Sequence, residues 1–332
     1  MYLWASIFSK KGWDVYSFSE NKSQGLEFIN FLRYPTKRYI GILIELFYSL
    51  FLIFRYRPEI IIIRGATRAL SYLSLYAKLT NTKIVFFAAS DSDLQISKEL
   101  IAADHDKKLF RYGLKRVDSF ILQNNLQQAL LLKNYNKSGL VIPNIWDKDR
   151  WQHLETDSGL EDYILWVSNF RYLKRPQWFI DIAKKMPHLN FVMVGGPVDK
   201  ELFETCESVV EEIPNLSFLG PQSLEYVNAL FAKAKVFVCT STIEGFPNTF
   251  LQAWSQNVPV ISTFDPSDII KEYGLGVFVK NIEELINALE LLQNEQDYFA
   301  FKERIRSYFK NNHDPDFCYE KLVGFLGQKQ YS

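Results

Sequence analysis

The sequence predicts an α/β protein built from two doubly wound domains. The chain has 332 residues, which is too long for one ordinary hydrophobic core and suits two domains. Its hydrophobic fraction of 48% is sufficient for two complete cores. Helix-like stretches alternate with short apolar runs typical of buried parallel strands, and this alternation stops near residue 150 and then restarts.

The first half is predicted to open directly with a helix, over residues 2–10. A doubly wound domain normally begins with a strand and a glycine-rich turn, so we expect that the first strand and its loop are missing from this half. The other elements predicted here are strands at 14–18, 59–63, 83–88, 119–122 and 139–142, and helices at 39–55, 67–79, 97–116 and 126–133.

Turn-forming residues from Pro143 to Trp151, followed by polar residues, predict a linker over 146–160. The linker separates an N-terminal domain, 1–145, from a C-terminal domain, 161–310. The second half is predicted to contain strands at 163–167, 190–194, 216–218, 235–239, 258–262 and 277–279, and helices at 176–185, 199–211, 224–234, 282–294, 297–310 and from 248 onward. The last segment, 311–332, is expected to form a helix that packs back toward the N-terminal domain.

Charge and cysteine content narrow the class of partner. The 38 basic and 38 acidic residues cancel, so net charge gives no indication of a nucleic-acid partner. Cys206, Cys239 and Cys318 show no CxxC spacing, which favours buried thiols in a reducing, cytoplasmic setting over a disulfide framework or a zinc site. The four histidines have no partner at metal or triad spacing.

One segment, residues 39–57, invites a membrane interpretation. It is very apolar up to Phe54 and ends with Arg55 and Arg57. The apolar part is shorter than the ~20 residues that a spanning helix needs, and it contains Glu45. We therefore interpret it as a helix packed on the sheet. The alternative is a helix lying on a membrane surface as a peripheral contact, with the two arginines on lipid headgroups.

The most informative segment runs from Thr240 to Trp254, where a turn joins a buried strand to a helix. In a doubly wound domain the strand end meets a crevice, and the free N–H groups of the next helix point there, which suits an anionic ligand. The Glu244 carboxylate can accept hydrogen bonds from sugar hydroxyls, and the amides that follow can hold phosphate oxygens. The candidates here for binding such a phosphate-bearing sugar, as the donor of a sugar group, are Gly245, Phe246, Pro247, Asn248, Thr249 and Gln252. The alternative is an ordinary helix start that Asn248 caps.

Other strand ends in the second half add candidates. Arg171, Lys174 and Arg175 follow the strand 163–167, where cations suit a departing diphosphate; the alternative is a solvated basic loop. Gly195 and Gly196 let a ligand approach the backbone. Leu219 follows the strand 216–218 and could help to hold a flat base by backbone contacts. Each of these glycine and leucine positions is equally consistent with a simple turn.

The first half carries candidates for the acceptor side. Arg64 follows the strand 59–63 and could hold an acceptor phosphate. Asp91 and Asp93 follow the strand 83–88 and could position an acceptor hydroxyl or sugar. Helix capping is the alternative role for both carboxylates.

Together these motifs resemble glycosyltransferase family 4, a large group of retaining enzymes with the GT-B fold. The resemblance covers nearly the whole chain, is strongest over 163–262, and extends to 89–93, 124–128 and 141–144. It implies two Rossmann-like domains facing a cleft and a nucleotide-sugar donor bound mainly by the second domain. It also implies a saccharide or lipid-linked acceptor and no obligatory metal or other cofactor.

Motif by motif, the resemblance places Glu244 near the donor sugar, Gln252 on the ribose and Lys174 on the diphosphate. Asn169 stands where the family has an arginine, so Arg171 or Arg175 would have to substitute. The catalytic candidates are therefore Lys174, Glu244 and Arg171.

The implied activity is transfer of a hexose to a saccharide with retention, for a cell-surface polysaccharide. Two alternatives stay open. The chain could be a truncated or degenerate relative that binds a nucleotide-sugar or a partner without turnover, which the missing strand and Gln252 would explain. It could also be a nucleotide-sugar epimerase of the same fold.

Overall fold

The computed structural model describes residues 2–19, 30–33, 41–96, 98–99, 101, 103–147, 161–242 and 246–328. The chain divides into unit 1, Met1–Ile145 with Pro315–Ser332, and unit 2, Trp146–Asp314. All strand pairs named in both units are parallel, so the predicted α/β class is confirmed.

Unit 1 contains a four-stranded sheet in the order β3-β4-β5-β6 and a separate pair, β1-β2. Along β4, Ile84 and Phe86 enter one apolar core while Val85 and Phe87 enter another, because successive side chains of a strand point to opposite faces. The elements of unit 1 are α1 (Tyr2–Lys10), β1 (Tyr16–Ser19), β2 (Asn30–Arg33), α2 (Gly41–Tyr56), β3 (Ile60–Arg64), α3 (Ala69–Thr80), β4 (Lys83–Phe87), α4 (Asp104–Leu114), β5 (Ser119–Leu122), α5 (Asn125–Tyr135), β6 (Leu140–Val141) and, from the end of the chain, α13 (Pro315–Gln328).

The last helix, α13, completes the core of unit 1. The Tyr319 ring lies 5.5 Å from the Phe8 ring of α1, and the indole nitrogen of Trp13 donates a hydrogen bond to the Tyr319 hydroxyl at 2.9 Å. Cys318 and Leu322 are buried in the same cluster. Removing α13 would therefore expose apolar surface on α1 and on one face of the sheet.

The structure differs from the sequence prediction before α4. A helix was expected over 97–116, but the regular helix spans Asp104–Leu114. The Glu99 carboxylate is completely buried and receives both a Nε and a Nη2 hydrogen bond from Arg111, the latter at 3.0 Å. This ion pair ties Glu99, which precedes the helix, to α4. The short elements Asn30–Arg33 and Ile269–Tyr273 were not expected either, since neither has a clear periodic pattern.

Unit 2 contains one six-stranded parallel sheet in the order β9-β8-β7-β10-β11-β12. Its elements are β7 (Tyr163–Val167), α6 (Pro176–Lys185), β8 (Phe191–Val194), α7 (Lys200–Val210), β9 (Leu216–Phe218), α8 (Leu224–Lys233), β10 (Ala234–Cys239), α9 (Asn248–Ser255), β11 (Val260–Ser262), α10 (Ile269–Tyr273), β12 (Gly276–Phe278), α11 (Ile282–Leu291) and α12 (Glu295–Asn312). Successive strands extend away from β7 on one side and from β10 on the other. Such a reversal leaves a crevice outside the carboxyl ends of the two central strands.

Most of the expected linker, residues 148–160, lies outside the described residues. The expected absence of a first strand stays a prediction. Among the described residues, no helix combines the length and apolar character needed to cross a membrane.

We expect Gly113→Ala to destabilise unit 1, because a Cβ at this position of α4 would lie 2.8 Å from backbone atoms of Leu70 and Ser71 on α3. The two helices would have to separate, at a cost of about 1–3 kcal/mol in the free energy of unfolding. Gly324→Ala in α13 is the matched control, since a Cβ there meets no atom within 4 Å. That control should leave stability unchanged or raise it by up to ~1 kcal/mol. Equal urea midpoints for the two variants would contradict the close packing of α3 on α4.

Candidate active site

A cavity of about 550 Å³ lies in unit 2 at the carboxyl ends of β7, β8 and β10 and beside the start of α9. Its volume is in the range of small-molecule sites, and its position is the crevice expected from the strand order. The described residues that line it are Trp166, Val167, Ser168, Asn169, Lys174, Val194, Gly195, Gly196, Pro221, Gln222, Val227, Phe237, Val238, Cys239, Thr240, Ser241, Pro247, Asn248 and Thr249.

Hydrogen bonds join the loops that follow β7 and β10. The buried Thr240 hydroxyl accepts a hydrogen bond from the indole nitrogen of Trp166 at 3.0 Å and donates one to the carbonyl oxygen of Lys174. The backbone N–H of Thr242 donates to the carbonyl oxygen of Leu173 at 2.8 Å. These bonds fix the backbone of Lys174 at the cavity, where its side chain is the cationic group among the described lining residues.

Arg175 is held by protein groups rather than directed into the cavity. Its Nε donates to the carbonyl oxygen of Thr240 and its Nη2 to the hydroxyl of Thr263, each at 2.7 Å. Its guanidinium carbon lies 4.0 Å from the ring centroid of Trp178. Burial lowers the pKa of the Arg175 guanidinium from its ordinary value. The residue also has a φ of +45°, an uncommon conformation that persists only where surrounding contacts enforce it.

Gly195 allows three strand ends to approach one another. The Ser168 N–H donates to the carbonyl oxygen of Val194, and the Gly195 N–H donates to that of Gly220, each at 3.0 Å. A Cβ at Gly195 would lie 1.7 Å from the carbonyl oxygen of Ser168, so no other residue fits there without a backbone shift.

Gly196 plays a different part from its neighbour. A Cβ at this position would lie 3.6 Å from the side-chain oxygen of Asn169 and 3.7 Å from Pro221, which are ordinary contacts. Both of those residues line the cavity. An added methyl group at Gly196 is therefore accommodated without a backbone shift, in contrast to Gly195.

The start of α9 presents backbone donors to the cavity. Pro247 precedes the helix, and no side chain of the described residues caps it. The N–H groups of Asn248 and Thr249 have no acceptor among the residues that the structure describes. The capping alternative for Asn248 is therefore not what is observed, because Asn248 is the first helical residue. Unsatisfied N–H groups at a helix start bind anions well.

Several predicted site residues are not among the described residues that line the cavity. Glu244 and Gly245 are outside the described residues. Arg171 is exposed and does not line the cavity. Arg175 does not line it either. Gln252 is only 5% exposed, and its amide nitrogen donates to the Asn228 side chain on α8 at 2.8 Å.

Phe246 and Leu219 support the site from outside the lining. The Phe246 ring packs 6.2 Å from that of Trp254 and 5.9 Å from that of His313, which anchors the end of the β10 loop in the core. The carbonyl oxygen of Leu219 accepts a 2.7 Å hydrogen bond from the Gln222 side chain.

Sequence reasoning missed the most important of the supporting residues. Thr240 and Ser241 follow β10 directly, and Trp166 lies within β7. The position of Thr240 at a strand end was the available signal. Its role could not be read from that signal, because its partners Trp166 and Lys174 lie 74 and 66 residues away in the chain.

In unit 1, Asp93 is a capping residue. Its carboxylate is 3% exposed and accepts hydrogen bonds from the N–H groups of Ala89 and Ser90 at 2.7 and 3.1 Å, within a capping box that includes Ser90. Burial raises the pKa of Asp93, while these N–H donors and the Arg64 charge oppose the rise. The capping alternative describes what is seen here.

Asp91 belongs to a hydrogen-bond network that joins three segments. Its carboxylate accepts from Gln127 at 3.0 Å and from Asn124 at 3.2 Å, and the side chain of Gln123 donates to that of Asn144 at 2.7 Å. The segments 89–93, 124–128 and 141–144 that support the family resemblance therefore lie together. Arg64 is exposed and lines a small cavity of about 20 Å³ with Gln123 and Asn144.

We expect Gly195→Ala to lower the free energy of unfolding of unit 2 by about 2 kcal/mol or more, because the added methyl overlaps a backbone oxygen. Gly196→Ala is the matched control and should unfold within ~0.5 kcal/mol of the unchanged protein. Urea unfolding followed by tryptophan fluorescence measures both values. A Gly195→Ala protein as stable as its neighbour's variant would show that the three strand ends are not closely packed.

Comparison with known proteins finds similarity to glycosyltransferases, and the match to a family model lies within unit 2. Residues 161–295 match the family model described as glycosyl transferases group 1. The chain is 24% identical over 205 residues to an uncharacterized glycosyltransferase of Methanocaldococcus jannaschii. The matched region covers 55% of this chain and 48% of that protein. This chain is also 30% identical over 135 residues to an alpha-galactosylglucosyldiacylglycerol synthase of Streptococcus pneumoniae. The matched region covers 36% of this chain and 36% of that protein. The chain therefore spans about half or less of the length of these relatives.

The fold comparison covers the whole chain. A glycosyltransferase of Rickettsia africae ESF-5 has a TM-score of 0.75 at 16% sequence identity, with 100% of this chain and 94% of that chain covered. At this level of identity the similarity establishes the fold alone. Together with the parallel sheets of both units, it confirms the predicted GT-B fold.

Proposed function

We propose that this chain, which has the GT-B fold and a group 1 glycosyltransferase sequence in its second unit, transfers a hexose from a nucleotide-diphosphate sugar. The observation that carries the proposal is the cavity of unit 2. Lys174, the glycine backbone at Gly195 and Gly196, and the start of α9, which no described side chain caps, all line this cavity. This combination is suited to a diphosphate with a sugar attached.

Lys174 and the first amides of α9 would bind the diphosphate. Negative charge on the leaving diphosphate increases as its bond to the sugar breaks, so cations and N–H dipoles fixed beforehand stabilise the transition state more than the ground state. The hydrogen bonds from Thr240 and Thr242 to the Lys174 loop supply this fixed geometry.

Glu244 keeps its proposed role near the donor sugar, where a carboxylate can accept hydrogen bonds from hydroxyl groups. For Gln252 we favour a supporting role, because its buried amide is already bonded to Asn228. We infer that the nucleoside lies near Gly196, Pro221 and Gln222, whose backbone and side chains line the cavity beside β8 and β9.

The proposed reaction keeps the configuration of the anomeric carbon. The bond from the anomeric carbon to the phosphate oxygen breaks, the acceptor oxygen bonds to that carbon on the same face, and the acceptor proton passes to the departing phosphate oxygen. The acceptor is a saccharide or a lipid-linked saccharide, in keeping with the S. pneumoniae relative, which is named for a glycosylated diacylglycerol product.

The activity can be tested with UDP-, GDP- and ADP-hexoses incubated with and without saccharide and lipid-linked acceptors. We expect release of the nucleoside diphosphate to increase with a suitable acceptor and the product to retain its anomeric configuration. Binding without turnover would favour the non-catalytic relative. A changed ring stereocentre in the free nucleotide-sugar, without acceptor, would favour the epimerase. Turnover that is unchanged in a chelator would support the prediction that no metal is obligatory.

We expect Lys174→Ala to lower kcat/KM by at least about tenfold, since it removes a charge from the proposed diphosphate site. Lys184→Ala is the matched control, because Lys184 is an exposed lysine in the last turn of α6 and does not line the cavity. Both variants should keep the urea midpoint of the unchanged protein. Equal activity of the two variants would remove Lys174 from the site.

A further inference from the structure

Helix α2 of unit 1 exposes a stripe of phenylalanines. Phe47, Phe51 and Phe54 are 65%, 58% and 55% exposed. Their spacing of four and then three residues places them on one face of the helix. On the opposite face, Ser49, Leu52 and Ile53 are buried in unit 1. We call Phe47, Phe51 and Phe54 the aromatic stripe.

A surface helix ordinarily carries polar residues on its outer face, so this stripe is unusual. Three phenylalanines, at roughly 200 Å² each and a little over half exposed, offer about 350 Å² of apolar surface. Scattered single apolar residues need no explanation, but a contiguous patch of this size commonly marks an interaction surface.

Cations accompany the stripe. Arg55 and Arg57 are exposed at the end of α2, and Lys78 is exposed on α3, which packs against α2. None of these three side chains forms an ion pair with a carboxylate of the described residues. The same helix α3 exposes Leu75 and Leu79, at 42% and 78%. Among the side chains that the structure describes, the exposed acidic residue nearest to the stripe in sequence is Glu59, which follows the helix.

We propose that the aromatic stripe docks on the surface of an anionic phospholipid bilayer, with α2 lying in the plane of the interface. The phenylalanines would enter the boundary between headgroups and acyl chains, and Arg55 and Arg57 would contact lipid phosphates. The 16 residues of α2 are too few to cross the bilayer, which agrees with the absence of a spanning helix among the described residues.

A bilayer fits this surface better than a second copy of the chain. A stable protein–protein interface needs about 800 Å² from each partner, and the stripe offers less than half of that. Insertion into a bilayer has no such threshold and needs no complementary shape. The proposal goes beyond sugar transfer and does not depend on it, although it would bring the enzyme to lipid-linked acceptors.

Vesicle co-sedimentation of the full chain, without any nucleotide-sugar, tests the proposal. We expect binding to vesicles of phosphatidylglycerol and phosphatidylcholine, and much weaker binding to phosphatidylcholine alone. The triple variant F47S/F51S/F54S should lower the partition coefficient about tenfold or more. R55Q and R57Q should each lower it about fivefold on the anionic vesicles. Phe299→Ser is the matched control, since Phe299 is 60% exposed on α12 of unit 2, and should bind as the unchanged protein does.

A fluorescent label reports where the bilayer touches the chain. Cys206, Cys239 and Cys318 are buried, so a cysteine introduced on the surface can be labelled selectively. The emission maximum of an environment-sensitive dye attached to the cysteine of Phe51→Cys should shift to the blue when anionic vesicles are added. The same dye attached to the cysteine of Phe299→Cys should show no shift.

Three outcomes would overturn the proposal. The first is a folded protein, by circular dichroism, that does not bind phosphatidylglycerol vesicles. The second is a triple variant that binds them as well as the unchanged protein. The third is a dimer that the triple variant dissociates, which would assign the stripe to self-association. Because no donor is present, none of these outcomes bears on glycosyl transfer, and a failure of the transfer assay leaves the vesicle result intact.

Discussion

The candidate site depends on the joint between the two loops that follow β7 and β10. Thr240 lies at its centre: its hydroxyl contacts Trp166 and Lys174, and its carbonyl oxygen accepts from Arg175. Ordering a free loop on ligand binding costs conformational entropy and weakens the affinity, whereas this loop is already ordered by hydrogen bonds before a ligand binds. The joint therefore holds the backbone of Lys174 in place beside the cavity. It also explains why Arg175 adopts an uncommon backbone conformation, since two hydrogen bonds and the Trp178 ring hold it there.

The part of the site that could be predicted is the part fixed by local pattern. Six residues were expected because they lie in segments that follow strands of a doubly wound sheet, and the structure brings these six together: Lys174, Gly195, Gly196, Pro247, Asn248 and Thr249. The sequence could not separate them from neighbours that face elsewhere. Arg175 and Gln252 do not line the cavity because each is hydrogen-bonded elsewhere. The partners of Arg175 lie 65 and 88 residues away in the chain, and the partner of Gln252 lies 24 residues away. No local signal reports such contacts.

The fold was predictable to the same extent. Strands and helices with strong periodicity were found close to their expected bounds, because their apolar positions alone specify which faces are buried. The expected helix start at residue 97 was wrong. Glu99, a polar residue in any sequence pattern, is buried and paired with Arg111 on α4, and the regular helix begins only at Asp104. For Asp93, the sequence was equally consistent with binding a ligand and with capping a helix. The structure decides for capping, because the N–H groups of Ala89 and Ser90 donate to its carboxylate. On α2, the apolar run predicted the helix but could not decide between packing on the sheet and exposure at a membrane surface, and the structure shows one buried face and one exposed face.

Calorimetric titration of UDP, GDP and ADP into the full chain tests the central claim most directly, because it asks whether the cavity of unit 2 binds a pyrophosphate at all. The account predicts that at least one of the three associates with one site per chain and that added phosphate weakens it by competition. If circular dichroism shows a folded protein and none of the three produces a binding signal, the assignment of this cavity to a nucleotide-sugar is contradicted.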